Sequence, residues 1–231
     1  MAMVTPDGYT VDTWLDTNVT LEIDSHGDLF VEWEKWRRGE PSDLEGRRER
    51  IRGSLWAAMA LAKVGAVSVQ YQHETIRNLK RLAPPATPHG WWTEAAIYVL
   101  GVADGVDGVF RGWHRTFTND HAELNNPGRD RMIKVECVEH GLRLISRDDD
   151  LIAETRAAGG TAYLPEEFGA TEITMEEAQA MFMDRMSATA HAYMVAAETG
   201  ADRRARKAAV RDLVQGYRRV WSDAYEWPGA D

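Results

Sequence analysis

Thr13-Trp14-Leu15-Asp16-Thr17-Asn18 is a short apolar run that ends in an acid, and its reading decides the fold. Two later stretches match it. Asp130-Arg131-Met132-Ile133-Lys134-Val135-Glu136 opens on an acid and reads as helix, and it leads into Leu142-Arg143-Leu144-Ile145-Ser146-Arg147-Asp148, which again ends in an acid. Acids just past buried strands, with another on an adjoining helix, point to a cleft at the strand ends of an α/β sheet, where open α/β folds bind ligands. Several carboxylates converging there cannot all stay ionised without a cation, so a divalent metal is the expected occupant. The competing reading is that each Asp caps a helix, as Asp often does after a strand. Any one acid fits both readings equally, and the set favours the cleft.

Working outward, the first strand is expected at about Val11 to Leu15, followed by a helical stretch that ends near Gly39 and Pro41. Ser42-Asp43-Leu44-Glu45 has the form of a capping box, with Leu44, Ile51, Leu55, Ala58 and Ala62 recurring behind it at helical spacing. Gly65 closes that helix, and Ala66 to Tyr71 reads as a buried strand running into a helix start at His73 to Leu79. Pro84-Pro85-Ala86-Thr87-Pro88 breaks the pattern, Trp92 to Val102 reads as helix, and Asp104 to Gly128 as a long irregular segment. Helix is expected again from Asp130 to His140, ended by Gly141. A strand over Leu142 to Ser146, a helix over Asp149 to Ala158, a Gly159-Gly160 turn and a last strand over Thr161 to Leu164 follow. Strand and helix alternate, which predicts a parallel sheet covered on both faces.

After Phe168 the pattern becomes helical throughout. Thr174-Met175-Glu176-Glu177 is a second capping box, and Met175, Ala178, Phe182, Met186, Ala190, Tyr193 and Ala197 form one apolar stripe. Val210, Leu213, Tyr217, Val220, Trp221 and Ala224 form another beyond Gly200, so a helical hairpin over 171–231 is expected behind an α/β domain over 1–170.

The chain has 231 residues and a formal charge of −10, which argues against sequence-blind coating of nucleic acid. No Lys or Arg occurs through Glu34, whereas Arg203, Arg204, Arg206, Lys207, Arg211, Arg218 and Arg219 crowd one late segment. That distribution suits a metal-dependent enzyme acting on a polyanion, although a charge run is more often a solvated helix face. No run of about 18 apolar residues exists to span a membrane, and no secretory signal is recognisable, so a cytoplasmic address is expected. The single cysteine, Cys137, excludes an internal disulfide framework and a multi-cysteine zinc site, and between Val135 and Val138 it reads as core.

The anchors resemble those of PIN-domain nucleases. Leu15-Asp16-Thr17-Asn18-Val19 is similar to the family's first strand with its leading acid, and Ser68 to Glu74 to the second strand and the helix that carries a glutamate. Asp130-Arg131-Met132-Ile133 with Glu139-His140-Gly141-Leu142 resembles the helix bearing the third acid. Ser146-Arg147-Asp148 resembles the short Ser/Thr-x-Asp signature, and Gly160 through Pro165-Glu166-Glu167-Phe168 the closing strand. These pieces cover about a third of the chain; the region from Pro84 to Asn126 matches nothing in the family, and the hairpin is extra to its minimal fold. The resemblance implies a three-layer α/β/α sandwich and hydrolysis of phosphodiester bonds, in RNA above all. Asp16, Glu74, Asp130 and Asp148 would be catalytic and would hold Mg²⁺ or Mn²⁺, with Asp149 and Asp150 as alternatives for the fourth ligand. Ser146 would orient a carboxylate or a water, and Asn18 either supports Asp16 or serves as an ordinary cap.

Arg111, Trp113 and Arg115, with Phe117, could stack on or clamp a single strand, while the neighbouring His114 and the His73 beside Glu74 read as exposed or structural. Trp33, Trp36 and Trp56 read as packing or partner-facing residues. An antitoxin or other protein partner and a homodimer are compatible with the sequence. Two rivals stand beside the nuclease. A haloacid-dehalogenase-like phosphatase needs a second acid two residues after the first, and Asn18 occupies that position. A non-catalytic PIN-like scaffold would use the same fold for binding, with the Met- and Ala-rich stripe as its partner surface.

Overall fold

The computed structural model describes residues 3–4, 10–16, 18–19, 22, 26–64, 126–184, 218 and 220–221. The strand expected over 66–71, the helix over 73–79, the breaker over 84–88, the helix over 92–102 and nearly all of the irregular segment over 104–128 lie outside them. So do the stripe residues from Met186 to Tyr217 and the basic run up to Arg211. The described elements, in chain order, are β1 (Met3–Val4), β2 (Thr10–Val11), β3 (Thr13–Leu15), α1 (His26–Arg37), α2 (Leu44–Val64), α3 (Asn126–His140), β4 (Arg143–Ile145), α4 (Asp149–Ala157), β5 (Thr161–Tyr163) and α5 (Pro165–Glu172). Residues 175–184 are helical as well. The fold is mixed α/β, with a three-stranded parallel sheet in the order β3-β4-β5 and helix over most of the other described residues. Among the described residues no helix is long and apolar enough to cross a membrane.

The register puts three ranks of side chains across the sheet: Thr13, Arg143 and Thr161; Trp14, Leu144 and Ala162; Leu15, Ile145 and Tyr163. Because side chains alternate along a strand, the middle rank faces away from the other two. Trp14, Leu144 and Ala162 pack with Ile133 and Cys137 of α3 and Leu151 and Ile152 of α4. Leu15, Ile145 and the partly buried Tyr163 pack on the opposite side, with Leu29 and Trp33 of α1, a long run of α2 and Phe168 of α5. Both faces of the sheet are thus covered, as the strand–helix alternation predicts.

The α2 segment is the spine of the second core. From Gly53 to Leu61 nearly every residue is buried, and most are small: Gly53, Ser54, Ala57, Ala58 and Ala60. A helix apolar on all sides belongs inside the protein, and small residues let neighbouring backbones approach. The approach is closest at α5. A Cβ on Gly169 would lie 2.6 Å from Cγ of Trp56, whose indole Nε1 donates to the Ile173 carbonyl at 3.1 Å. Ile173, Ala178, Phe182, Val220 and Trp221 belong to this same core, and Arg52 Nε donates to the Val220 carbonyl. The expected boundary at 170/171 therefore falls between residues that share a core.

Four sequence expectations are corrected. The strand expected over Val11 to Leu15 is split: Thr10–Val11 pairs antiparallel with Met3–Val4, and the parallel strand starts only at Thr13. Asp12 marks the break, with its carboxylate taken by the Thr13 hydroxyl at 2.7 Å and by Arg143 at 2.9 Å. The helix expected from Asp130 begins instead at Asn126, since Pro127 suits a first helical turn. Pro165 to Phe168, assigned to a closing strand, instead opens α5. Pro165 is again at a helix start, and Glu167 accepts the Leu164 N–H at 2.9 Å. The box at Ser42 is not reciprocal. Ser42 Oγ accepts from Leu44 N, but Glu32 of α1 takes the Asp43 N–H at 2.7 Å, and Glu45 pairs with Arg48. By contrast the Thr174–Glu177 box forms both of its bonds, each at 3.1 Å, and Gly39, Gly141 and Gly159 all end helices with positive φ.

Candidate functional site

Asp16 and Ser146 leave neighbouring parallel strands at the same edge of the sheet. The ladder continues one step past each strand: Asp16 N donates to the Ile145 carbonyl at 2.9 Å, and Ser146 N to the Tyr163 carbonyl at 3.1 Å. β3 and β4 are adjacent although more than a hundred residues separate them, so the two C-terminal ends form a junction between distant parts of the chain.

The side chains at this junction form a closed network. Asp16 Oδ2 accepts from Ser146 Oγ at 2.7 Å and from Asn18 Nδ2 at 2.8 Å, and the Asn18 backbone N–H approaches Oδ1 at 3.5 Å. Asn18 Nδ2 also donates to Ser146 Oγ at 3.1 Å, and Asn18 Oδ1 accepts the Arg147 N–H at 3.0 Å. Ser146 Oγ accepts a further bond from Asp148 N at 3.0 Å. One proton donated and two bonds accepted use the full capacity of that hydroxyl. Ser146 is fully buried and its proton is committed to Asp16, so it orients the acid and is not set up as a nucleophile. Asn18, for which support of Asp16 and ordinary capping were both open, contacts the acid directly.

The other expected ligands are placed differently. Asp148 is exposed and caps α4, accepting Leu151 N at 3.0 Å, and Asp149 and Asp150 lie exposed in the first turn of that helix. This is the capping reading realised, and three acids at a helix N-terminus also suit its dipole. Asp130 is partly exposed on α3. Among the described residues no three His, Cys, Asp or Glu side chains are grouped closely enough to hold a metal ion. Glu74, Arg111, Trp113 and Arg115 lie outside the described residues. A partly exposed carboxylate whose orientation is fixed by hydrogen bonds fits a hard divalent cation in kind. The donor set that would complete the shell is not supplied by the described residues alone.

Arg147 is the residue that sequence reading missed. Its guanidinium, 13% exposed, reaches back to α2, where Nη2 donates to the Arg50 carbonyl at 2.6 Å and to Ser54 Oγ at 3.2 Å. Nε donates to Ser54 Oγ at 3.3 Å, and Nη1 pairs with Glu166 of α5 at 2.9 Å. Burial lowers the Arg147 pKa from the usual arginine value, with Glu166 opposing that pull. Gly53 makes room: a Cβ there would lie 2.8 Å from Glu166 Oε2 and 2.9 Å from Arg147 Nη2. No pattern in the sequence marks an arginine two residues past a strand as buried, and Ser54 and Gly53 read only as small helix residues.

Cys137 is buried on the α3/α4 face, and burial pushes its thiol up to about 12, which suits packing and not nucleophilic chemistry. Comparison with models of known protein families, with curated proteins and with solved structures finds no match to this chain.

Proposed function

We propose that this chain is a metal-dependent nuclease that hydrolyses phosphodiester bonds, foremost in RNA, on a three-layer α/β/α sandwich of PIN type with a C-terminal helical hairpin. The observation that supports it is the Asp16 carboxylate, held by Ser146 and Asn18 at the C-terminal junction of β3 and β4. Open α/β sheets bind ligands at strand ends of this kind. Asp16 would hold Mg²⁺ or Mn²⁺ with Glu74, Asp130 and Asp148, or Asp150 in place of the last. When bound, the metal supplies a water of lowered pKa and screens charge on the phosphate. The residues of the chain do the orienting. Ser146 and Asn18 fix the plane of the Asp16 carboxylate, and the backbone N–H groups of Arg147 and Asp148 in turn fix Asn18 and Ser146.

The test uses Mn²⁺ and a single-stranded RNA with Asp16→Asn, which keeps side-chain shape and removes the charge. Cleavage by the parent chain and its loss in a folded Asp16→Asn variant are the expected results; normal cleavage by that variant would sink the assignment. A ligand that binds only the folded state adds on the order of 3 kcal/mol at a hundredfold excess over Kd, so the parent should also melt higher in Mn²⁺ than in chelator.

A second reading has its own support. The commitment of Asp148 to capping, and the lack of a three-ligand group among the described residues, favour a non-catalytic scaffold of the same fold. That reading predicts no cleavage and the same melting temperature with and without Mn²⁺. The phosphatase alternative finds no second acid at Asn18, whose amide serves Asp16 instead.

A further inference from the structure

The guanidinium of Arg147 and the Asp16 junction lie on opposite sides of one short turn, and the turn connects them covalently. The backbone N–H of Arg147 holds Asn18 Oδ1, the next N–H holds Ser146 Oγ, and both Asn18 and Ser146 hold Asp16. The side chain of the same arginine is anchored at four points on two other elements: a carbonyl and a hydroxyl of α2, the latter reached from both Nε and Nη2, and a carboxylate of α5. An exposed salt bridge would position nothing, because it is screened and entropically loose. This cation is largely buried and has three kinds of partner in fixed directions, and the planar fork of arginine holds such an arrangement where lysine cannot.

We propose that Arg147 is a positioning residue: it clamps the β4–α4 turn against α2 and α5, and through Asn18 and Ser146 it sets the orientation of the Asp16 carboxylate. The clamp itself does not depend on what the site binds. Its consequence for a divalent cation rests on the function proposed above.

Gly53 belongs to the same device. Ordinarily Gly to Ala inside a helix is stabilising, because Ala is the better helix former. Here the new methyl would meet Nη2 and Glu166 Oε2 at less than contact distance, so the ends of those two side chains must shift away from Gly53.

The experiment compares the full chain with Arg147→Lys, Arg147→Met, the double variant Arg147→Met/Glu166→Gln, Gly53→Ala and, as a control, Ile152→Ala. The double variant keeps the test interpretable if Glu166 left alone prevents folding. Ile152→Ala shortens a side chain of the opposite face and keeps the bond from the Ile152 N–H to the Asp148 carbonyl. The first readout is amide hydrogen exchange at Arg147 and Asp148. Both amides should lose protection in the Arg147 variants and in Gly53→Ala at denaturant concentrations where the fold is intact, and keep it in Ile152→Ala. Unchanged protection in Arg147→Met and in the double variant would overturn the proposal. The second readout is Mn²⁺ affinity by calorimetry, with Asp16→Asn as the blank. If the parent chain binds Mn²⁺ through Asp16, Arg147→Met should weaken binding about tenfold or more, as loss of supporting contacts behind a ligand does, with partial recovery in Arg147→Lys. Affinity that falls equally in Ile152→Ala would reduce Arg147 to a structural role and overturn the positioning claim. If the parent shows no Asp16-dependent Mn²⁺ binding, the proposed function fails, and the exchange result alone decides the clamp.

Discussion

On one face of the sheet, Trp14, Leu144 and Ala162 meet Ile133, Cys137, Leu151 and Ile152 in an apolar set. On the other, Leu15 and Ile145 share their helix, α2, with the guanidinium of Arg147 and the buried hydroxyl of Ser54. The first face derives its stability from area removed from water, roughly 25 cal/mol per Å² of apolar surface. The second adds groups that are costly to bury and are offset by the hydrogen bonds and ion pair of Arg147. The faces therefore fail differently. A truncation on the first face leaves a cavity and lowers stability without reaching the strand-end site. A change on the second face reaches Asp16 within two hydrogen bonds.

The largest expected effect is on the apolar face. Trp14 is 3% exposed, and Trp14→Ala should cost about 3–5 kcal/mol in urea unfolding, the range for truncating a buried large aromatic. Ser146 and Asn18 should keep their hydrogen bonds to Asp16 in whatever fraction stays folded, because Trp14 belongs to the cluster of Ile133, Cys137, Leu151 and Ile152 and takes no part in those bonds. A loss below about 1 kcal/mol would mean that this face is not packed as described.

Next comes the seam between α2 and α5. Gly169→Ala brings a methyl to within 2.6 Å of the Trp56 ring, so the indole must move and its bond to the Ile173 carbonyl must stretch or break. Overpacking of this kind costs about 1–3 kcal/mol, and thermal unfolding would measure it. Trp56 fluorescence should shift at the same time, and an unchanged melting temperature would show that the seam is looser than the contact implies.

The faces also differ in how much of each was legible in the sequence. Trp14 beside Leu15, and Leu144 beside Ile145, each put one apolar residue on either side of a strand, and that alternation with helices specified a parallel sheet covered twice. Glycines with positive φ and the Thr174–Glu177 box marked helix ends because their partners are local in sequence. The Ser42 box misled because the decisive partner, Glu32, comes from a different helix. Pro165 was read into a strand although its fixed φ suits a helix start equally well. At the candidate site, Asp16, Asn18 and Ser146 could be picked out as residues at strand ends, yet their bonds cross between strands far apart in the chain. Arg147 was invisible for the same reason: Ser54 and Arg50 lie nearly a hundred residues upstream of it. Sequence order also cannot show where a carboxylate turns, and that of Asp148 turns to its own helix.

Cys137 tests the apolar face by pH. Burial holds its thiol neutral, with the pKa pushed up to about 12, and the nearby Glu136 acts in the same direction. The sign follows from linkage. Below the ordinary thiol pKa both states are protonated and the contribution is complete. As pH rises past that value only the unfolded state ionises, so stability falls until the folded-state pKa is reached. Alkaline unfolding curves should lose this slope in Cys137→Ala. A thiol reagent at pH 8 should label the native protein far more slowly than the denatured one. Rapid native labelling would show that this face opens.

The smallest expected effect lies at the edge of the second face, where Glu177 closes the capping box with Thr174. Its pKa is lowered first by the Thr174 backbone N–H and then by Lys63, and the group is fully exposed, so the contribution is slight and screened by salt. For a carboxylate with a depressed folded-state pKa, the stabilising contribution is present above the ordinary glutamate value. It is lost as pH falls through the lowered one. Glu177→Gln keeps an oxygen that can accept the Thr174 N–H but drops the charge facing Lys63. The variant should therefore match the parent in acid and fall slightly below it at neutral pH, by less at high salt than at low salt. Thr174→Ala, which removes the hydroxyl that accepts the Glu177 N–H, should cost more, about 1 kcal/mol at either pH. Melting curves at two pH values and two salt concentrations separate the cases. If Glu177→Gln costs nothing at either pH or either salt concentration, the box is held by geometry alone. The charges around the second face would then matter only where they are buried, at Arg147.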